Sequence, residues 1–119
     1  MILILLGLFL KHFIADFVLQ TKYQWSNKGT FLHPGGLLHS AIHGILTGVF
    51  IYFYGYFSIY LIFIDFISHY LIDYCKSNIN RKWNYTPDKY MFWFMTGLDQ
   101  FLHYLIYLII CKKILDMSL

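Results

Sequence analysis

Two periodicities coincide in this chain and limit what it can become. Four stretches are apolar over about a bilayer's thickness, and each carries ionisable residues spaced four apart. The segment "DFISHYLID" at residues 65–73 is the densest case, reading Asp65-x-x-x-His69-x-x-x-Asp73. Residues four apart lie on one helix face, separated by about 6 Å of rise. Each apolar helix therefore presents a polar stripe. A charged side chain at the centre of a bilayer costs at least about 2.5–3.5 kcal/mol. Such stripes persist only where they face each other.

Composition places those helices in a membrane. Of the 119 residues, 59% are hydrophobic and only 13% are charged. A soluble domain carries about a quarter charged residues. A spanning helix needs about 20 mostly apolar residues. The candidates are residues 2–20, 37–54, 57–74 and 90–110. The expected fold is all-α: a polytopic membrane protein, one four-helix transmembrane bundle over residues 1–119. Gly55 marks a tight turn that makes the second and third spans an antiparallel hairpin. Residues 21–36, "TKYQWSNKGTFLHPGG", and 75–89, "CKSNINRKWNYTPDK", are polar connections. Trp25, Trp83 and Trp93 fall at span boundaries, as an aromatic belt does. The apolar N-terminus lacks a basic flank and an A-x-A-like cleavage site, so it reads as a retained first helix.

Charge gives an orientation. The long connections hold Lys22, Lys28, Lys76, Arg81, Lys82 and Lys89, and the opposite side holds Lys112 and Lys113. The positive-inside rule puts the long connections in the cytoplasm and both termini outside. A net charge of +3, scattered along the chain, excludes nucleic acid as the partner. Cys75 and Cys111 have no pairing spacing and read as reduced bystanders.

The polar stripes are His12-x-x-x-Asp16 with Gln20, His39-x-x-x-His43, Asp65-x-x-x-His69-x-x-x-Asp73, and Asp99-x-x-x-His103 with Gln100. In four antiparallel spans these positions fall in one half of the bilayer, toward the long connections. Asp and neutral His are ligands for Zn, Fe or Mn. A divalent ion would offset buried carboxylate charge. The expected metal set is His12, Asp16, His39, His43, Asp65, His69, Asp73, Asp99 and His103, enough for two ions. Zinc is the first expectation, with iron or manganese as alternatives. His33 reads as solvated, Asp88 as a cap for the last helix, and Asp116 as a tail residue. The chain has no Glu, so it has neither HExxH nor Glu-x-x-His. Walker, GxSxG and GxGxxG motifs are also absent. Ser68 points off the Asp65–His69 face, so it completes no triad.

The stretches "HFIADFVLQT" at 12–21, "LLHSAIH" at 37–43, "SHYLIDYCK" at 68–76 and "LDQFLHYLI" at 98–106 resemble the domain of unknown function family 3307. That family comprises small membrane proteins of bacteria and their phages. The resemblance covers nearly the whole chain and matches His12, Asp16, Gln20, His39, His69, Asp73, Asp99, Gln100 and His103. Asp65 and His43 lie outside the matched set. The resemblance implies an integral protein of the bacterial inner membrane and supplies no activity.

The leading functional expectation is a membrane-embedded, metal-dependent hydrolase acting on a lipid or amphiphile. Metal-acidified water attacks an ester, amide or phosphoester. Asp16, Asp73 and Asp99 are the candidate catalytic carboxylates, acting as bridging or terminal ligands or as the general base. Gln20 and Gln100 are supporting residues that orient ligands or meet an oxyanion. Oxygen chemistry at a di-iron centre needs the same ligands. Two readings from other classes stand beside it. One is a metal-ion or proton transporter or channel. The other is a non-enzymatic interaction protein, such as a phage factor acting on a host membrane complex, in which the buried cluster serves stability. Membrane lipids are the expected partners, with the chain a monomer or homodimer and a membrane protein partner as a further option.

Overall fold

The computed structural model describes residues 2–117. It is all-helical, with no strand among the described residues. Helix α1, Ile2–Phe13, runs into one π turn, Ile14–Val18, closed by the Leu19 N–H on the Ile14 carbonyl at 2.8 Å. A single-turn helix, α2, Lys22–Trp25, follows, with Thr21 accepting from the Gln24 N–H at its N-cap. Helix α3 is Pro34–Phe53, α4 is Ile59–Lys82 and α5 is Tyr90–Met117.

Each helix start has a local cause. Pro34 occupies the first turn of α3, where a missing N–H costs nothing. His33 caps that helix, its Nδ1 accepting from the Gly35 N–H at 3.0 Å. The side chain expected to be solvated thus has a structural role. Ser58 caps α4 by accepting from the Leu61 N–H. The turn before it needs Gly55, whose φ is +87°.

The long helices form a square. Helices α1 and α4 lie on opposite corners, each packed against both α3 and α5. The α3–α4 side is tightest, because Gly44 and Gly48 leave room for Ile62. A Cβ on Gly44 would stand 3.2 Å from the Ile62 carbonyl oxygen. Small residues four apart are how packed membrane helices approach closely. Both long connections lie at one end, where the Asn78 side chain donates to the Gly29 carbonyl at 3.0 Å. At the other end the Tyr54 hydroxyl donates to the Leu3 carbonyl at 2.6 Å.

The bundle interior is divided. Its far half is apolar, built on Leu8, Ile51, Leu61, Tyr107, Ile110 and Ile114. Its near half buries Lys11, five histidines and three aspartates, namely Asp65, Asp73 and Asp99. The exterior is the reverse, with Phe53 79% and Phe17 72% exposed. Trp25, Trp83 and Trp93 are all exposed.

Two helices are long and apolar enough to cross a membrane, Pro34–Phe53 and Tyr90–Met117, with 44% and 33% of their apolar windows buried. Helices α1 and α4 miss that standard for visible reasons. Regular α1 is short and contains Lys11. Helix α4 carries Asp65 and Asp73 and continues through Lys76, Arg81 and Lys82. It therefore passes the expected end at Tyr74, and α5 likewise passes residue 110. Asp88 is also corrected. Its carboxylate accepts from the Thr86 hydroxyl, and that bond holds its pKa below the ordinary carboxylate value.

Candidate metal centre

The π turn places Asp16 among three imidazoles. His12 Nε2 stands 2.9 Å from Asp16 Oδ2, while His39 Nε2 and His43 Nε2 stand 3.1 and 2.8 Å from Oδ1. Single π turns occur frequently at functional sites. Helix α3 supplies His39 and His43 from adjacent turns of one face. Helix α4 supplies His69 and Asp73, whose Nε2 and Oδ2 lie 3.1 Å apart. Helix α5 supplies His103, which donates to Asp99 Oδ1 at 3.1 Å and Asp73 Oδ1 at 3.3 Å.

The centre of convergence is His39 Nε2. It lies 3.1 Å from Asp16 Oδ1, 3.2 Å from His69 Nε2 and 3.6 Å from Asp73 Oδ2. Ligand bonds of 2.0–2.1 Å in a tetrahedral zinc site put ligand atoms about 3.3 Å apart. These separations match that edge. Gln24 supports His39 from behind, its Oε1 3.3 Å from Nδ1. An Nδ1–H donated to Gln24 leaves the Nε2 lone pair directed inward. Metal-binding histidines are typically oriented this way. His69 is packed between the His43 and His103 rings, with centroids 3.5 and 4.0 Å away. Its Nδ1 is buried without a hydrogen-bond partner among the described residues, and Asp73 Oδ2 has only ion-pair contacts, with Lys28 Nζ at 3.3 Å and His69 Nε2 at 3.1 Å. The donor set and its unsatisfied atom fit a divalent transition metal. Two groups have mutual spacing suited to an ion: Asp16, His39, His43 and His69, and His69, Asp73 and His103.

Other expected ligands are engaged differently. Asp65 pairs with Lys11, whose Nζ lies 2.5 Å from Oδ2, and Thr47 donates to the same oxygen. Asp65 is therefore removed from the expected metal set, because an ammonium already neutralises it. Lys11 Nζ is also 3.0 Å from His43 Nδ1. An ammonium only donates, so His43 Nδ1 accepts and Nε2–H donates to Asp16. His12 is likewise occupied: Tyr107 O–H donates to Nδ1 at 2.6 Å, and Nε2–H faces Asp16 and the Gln100 oxygen. Asp99 meets His103, Lys76 at 3.4 Å and the Gln100 amide at 3.0 Å. Gln100 thus links His12 to Asp99, and Gln20 donates to the Asp16 carbonyl.

Lysines revise the charge balance. Lys11, Lys28 and Lys76 pair with Asp65, Asp73 and Asp99 respectively. Among the described residues no lysine or arginine pairs with Asp16. With neutral imidazoles, the cluster holds one uncompensated negative charge. Sequence reasoning passed over Lys11, Gln24, Thr47 and Tyr107 as members of this cluster. Lys11 had a usable signal, since an ammonium inside an apolar run needs a partner.

The model of the family described as "Protein of unknown function (DUF3307)" matches residues 4–119. No curated protein and no solved structure matches the chain.

Proposed function

Since the chain belongs to a family of unknown function, DUF3307, its own geometry has to carry the reading, and we propose a membrane-embedded hydrolase that uses one divalent ion. Zinc is the preferred metal. Asp16, His39 and His69 would hold it, with Asp73 adjacent. The observation that carries this reading is the 3.1–3.6 Å convergence on His39 Nε2, with Gln24 behind it. Three protein ligands plus an open position are the pattern of catalytic zinc.

The ion supplies an acidified water and polarises the bond under attack. The remaining work belongs to the chain. Asp73 would take a proton at Oδ2, the oxygen that faces His69 Nε2 at 3.1 Å and the Lys28 ammonium at 3.3 Å. His103 donates to the other Asp73 oxygen and fixes its orientation. Asp99 and Lys76 hold His103 from outside. Lys11 holds His43 as a donor to Asp16, so that carboxylate presents a fixed oxygen.

We assign the four long helices to a transmembrane bundle in the bacterial inner membrane, with the long connections cytoplasmic. The apolar exterior around a polar interior supports this, as do two helices of spanning length and hydropathy. A large contiguous apolar surface marks contact with lipid or a partner. The substrate is then a lipid or amphiphile with an ester or phosphoester at the depth of the cluster. A conducting path is less well supported, because the far half of the interior is packed with Leu8, Ile51, Leu61 and Ile110.

Hydrolysis of a panel of ester and phosphoester lipids in proteoliposomes tests the reading. Turnover should appear with zinc, vanish on chelation, return on reloading and be lost in Asp73→Asn with metal retained. A zinc-loaded protein that turns over none of the panel contradicts the hydrolase reading.

A further inference from the structure

One groove on the bundle surface reaches the cluster. It runs between α4 and α5, encloses about 270 Å³, and extends from Leu71 and Leu102 to Ile79 and Met95. Helix rise makes that length about 12 Å. Its walls are apolar except at mid-length, where Lys76 and Asp99 enter. Four other surface clefts touch no residue of the cluster.

The polar step in the groove is asymmetric. Lys76 and Asp99 stand 3.4 Å apart, but the Lys76 side chain is 21% exposed and that of Asp99 only 3%. A molecule in the groove therefore meets the cation first. Behind Asp99 lies His103, and behind His103 lies Asp73, each a single hydrogen bond away. An apolar chain along the groove would have its polar end over Asp99, with His103 between it and the ligand His69, whose ring stacks on that of His103 at 4.0 Å.

We propose that this groove seats one acyl chain of an anionic phosphoglyceride, with the phosphate on Lys76 and the ester region over Asp99 and His103. The proposal rests on the hydrolase reading and names its substrate class. The apolar stretch from Lys76 to Leu71, about 7 Å long, accepts the start of the chain, and the half of Lys76 turned away from Asp99 meets the phosphate. A zwitterionic headgroup of the same chain length gains less, because its own cation opposes Lys76. The lipid reaches the groove from the bilayer, so no water-filled entrance is required.

The test uses the full chain, metal-loaded, in nanodiscs that contain either phosphatidylglycerol or phosphatidylcholine with a photoactivatable acyl chain. Cross-links are mapped by peptide mass spectrometry. They should concentrate on residues 71–79 and 95–102, with an anionic preference of about fivefold, as one lysine near an anionic lipid gives. Lys76→Gln should abolish the preference, and Leu98→Trp, which fills the groove and leaves every charge in place, should abolish the groove cross-links. The Leu98 variant keeps the test decisive if the Lys76 variant fails to fold. Cross-links spread evenly around the bundle, or equal labelling by both lipids, would overturn the proposal. Metal content on the same samples separates the two readings. Metal retained without groove labelling overturns the lipid site alone, and groove labelling without bound metal overturns the metal reading.

Discussion

Lys11 and Asp65 form a fully buried ion pair, Nζ to Oδ2 at 2.5 Å, between helices whose backbones do not approach closely. The pair crosses the diagonal of the bundle from α1 to α4. Thr47 donates to the same carboxylate from α3, and Tyr107 of α5 lays its ring 4.6 Å from the ammonium. All four long helices therefore meet at one cation. Removing it should be severe. Lys11→Met leaves a buried carboxylate unpaired and should cost about 3–5 kcal/mol. Lys11→Met combined with Asp65→Leu should recover most of that loss, because neither charge then remains buried. Denaturation of the purified variants in detergent micelles measures both.

His39 and His43 share a helix face but should differ as ligands. His43→Gln preserves an acceptor for Lys11 and a donor for Asp16, so zinc affinity should fall by less than about tenfold. His39→Gln removes the inward lone pair and should abolish binding. Competition titration against a zinc chelator distinguishes them. Equal losses in the two variants would place His43 among the ligands.

Gln24 acts through His39. Gln24→Leu should lower zinc affinity about 10–100-fold, the usual effect of losing an outer hydrogen bond to a ligand. The chain should still fold, with a stability loss of about 1–3 kcal/mol from the unpaired Leu19 carbonyl and His39 N–H. The same competition assay, read beside circular dichroism, checks this.

Gly35 fixes where that one-turn helix sits. A Cβ there would stand 2.3 Å from the Tyr23 carbonyl oxygen. Gly35→Ala should therefore cost about 1–3 kcal/mol and shift Gln24 from His39, weakening zinc binding as well. Gly97→Ala meets nothing within 4 Å and should be neutral or stabilising by up to about 1 kcal/mol. Thermal melts of the two variants make the comparison.

Much of this was legible from spacing. His12 with Asp16, His69 with Asp73, and Asp99 with His103 each contact at i,i+4, as written in the sequence. Their agreement in depth foretold one cluster. Lys11 lies inside the first apolar run, but spacing names no partner for it, because its carboxylate is on another helix. It carried off Asp65, which spacing alone had joined to His69. Gln24 was invisible because no periodicity tells which loop residue folds beneath a helix. The π turn at Ile14–Val18 has no sequence signature, yet it lies under Asp16. Hydropathy ends at Tyr74, but helix α4 continues to Lys82, tied by the Asn78 side chain to the Tyr74 and Gly29 carbonyls.

The most direct test is a metal count. The full chain is purified in mild detergent without chelator and analysed by elemental mass spectrometry beside His39→Ala and His69→Ala. The account predicts about one divalent ion per chain, the number that a three-ligand site holds. Both folded variants should lose it. A folded wild-type protein that carries no metal, and takes up no zinc, iron or manganese when offered, would contradict the account and leave the cluster as a metal-free hydrogen-bond network.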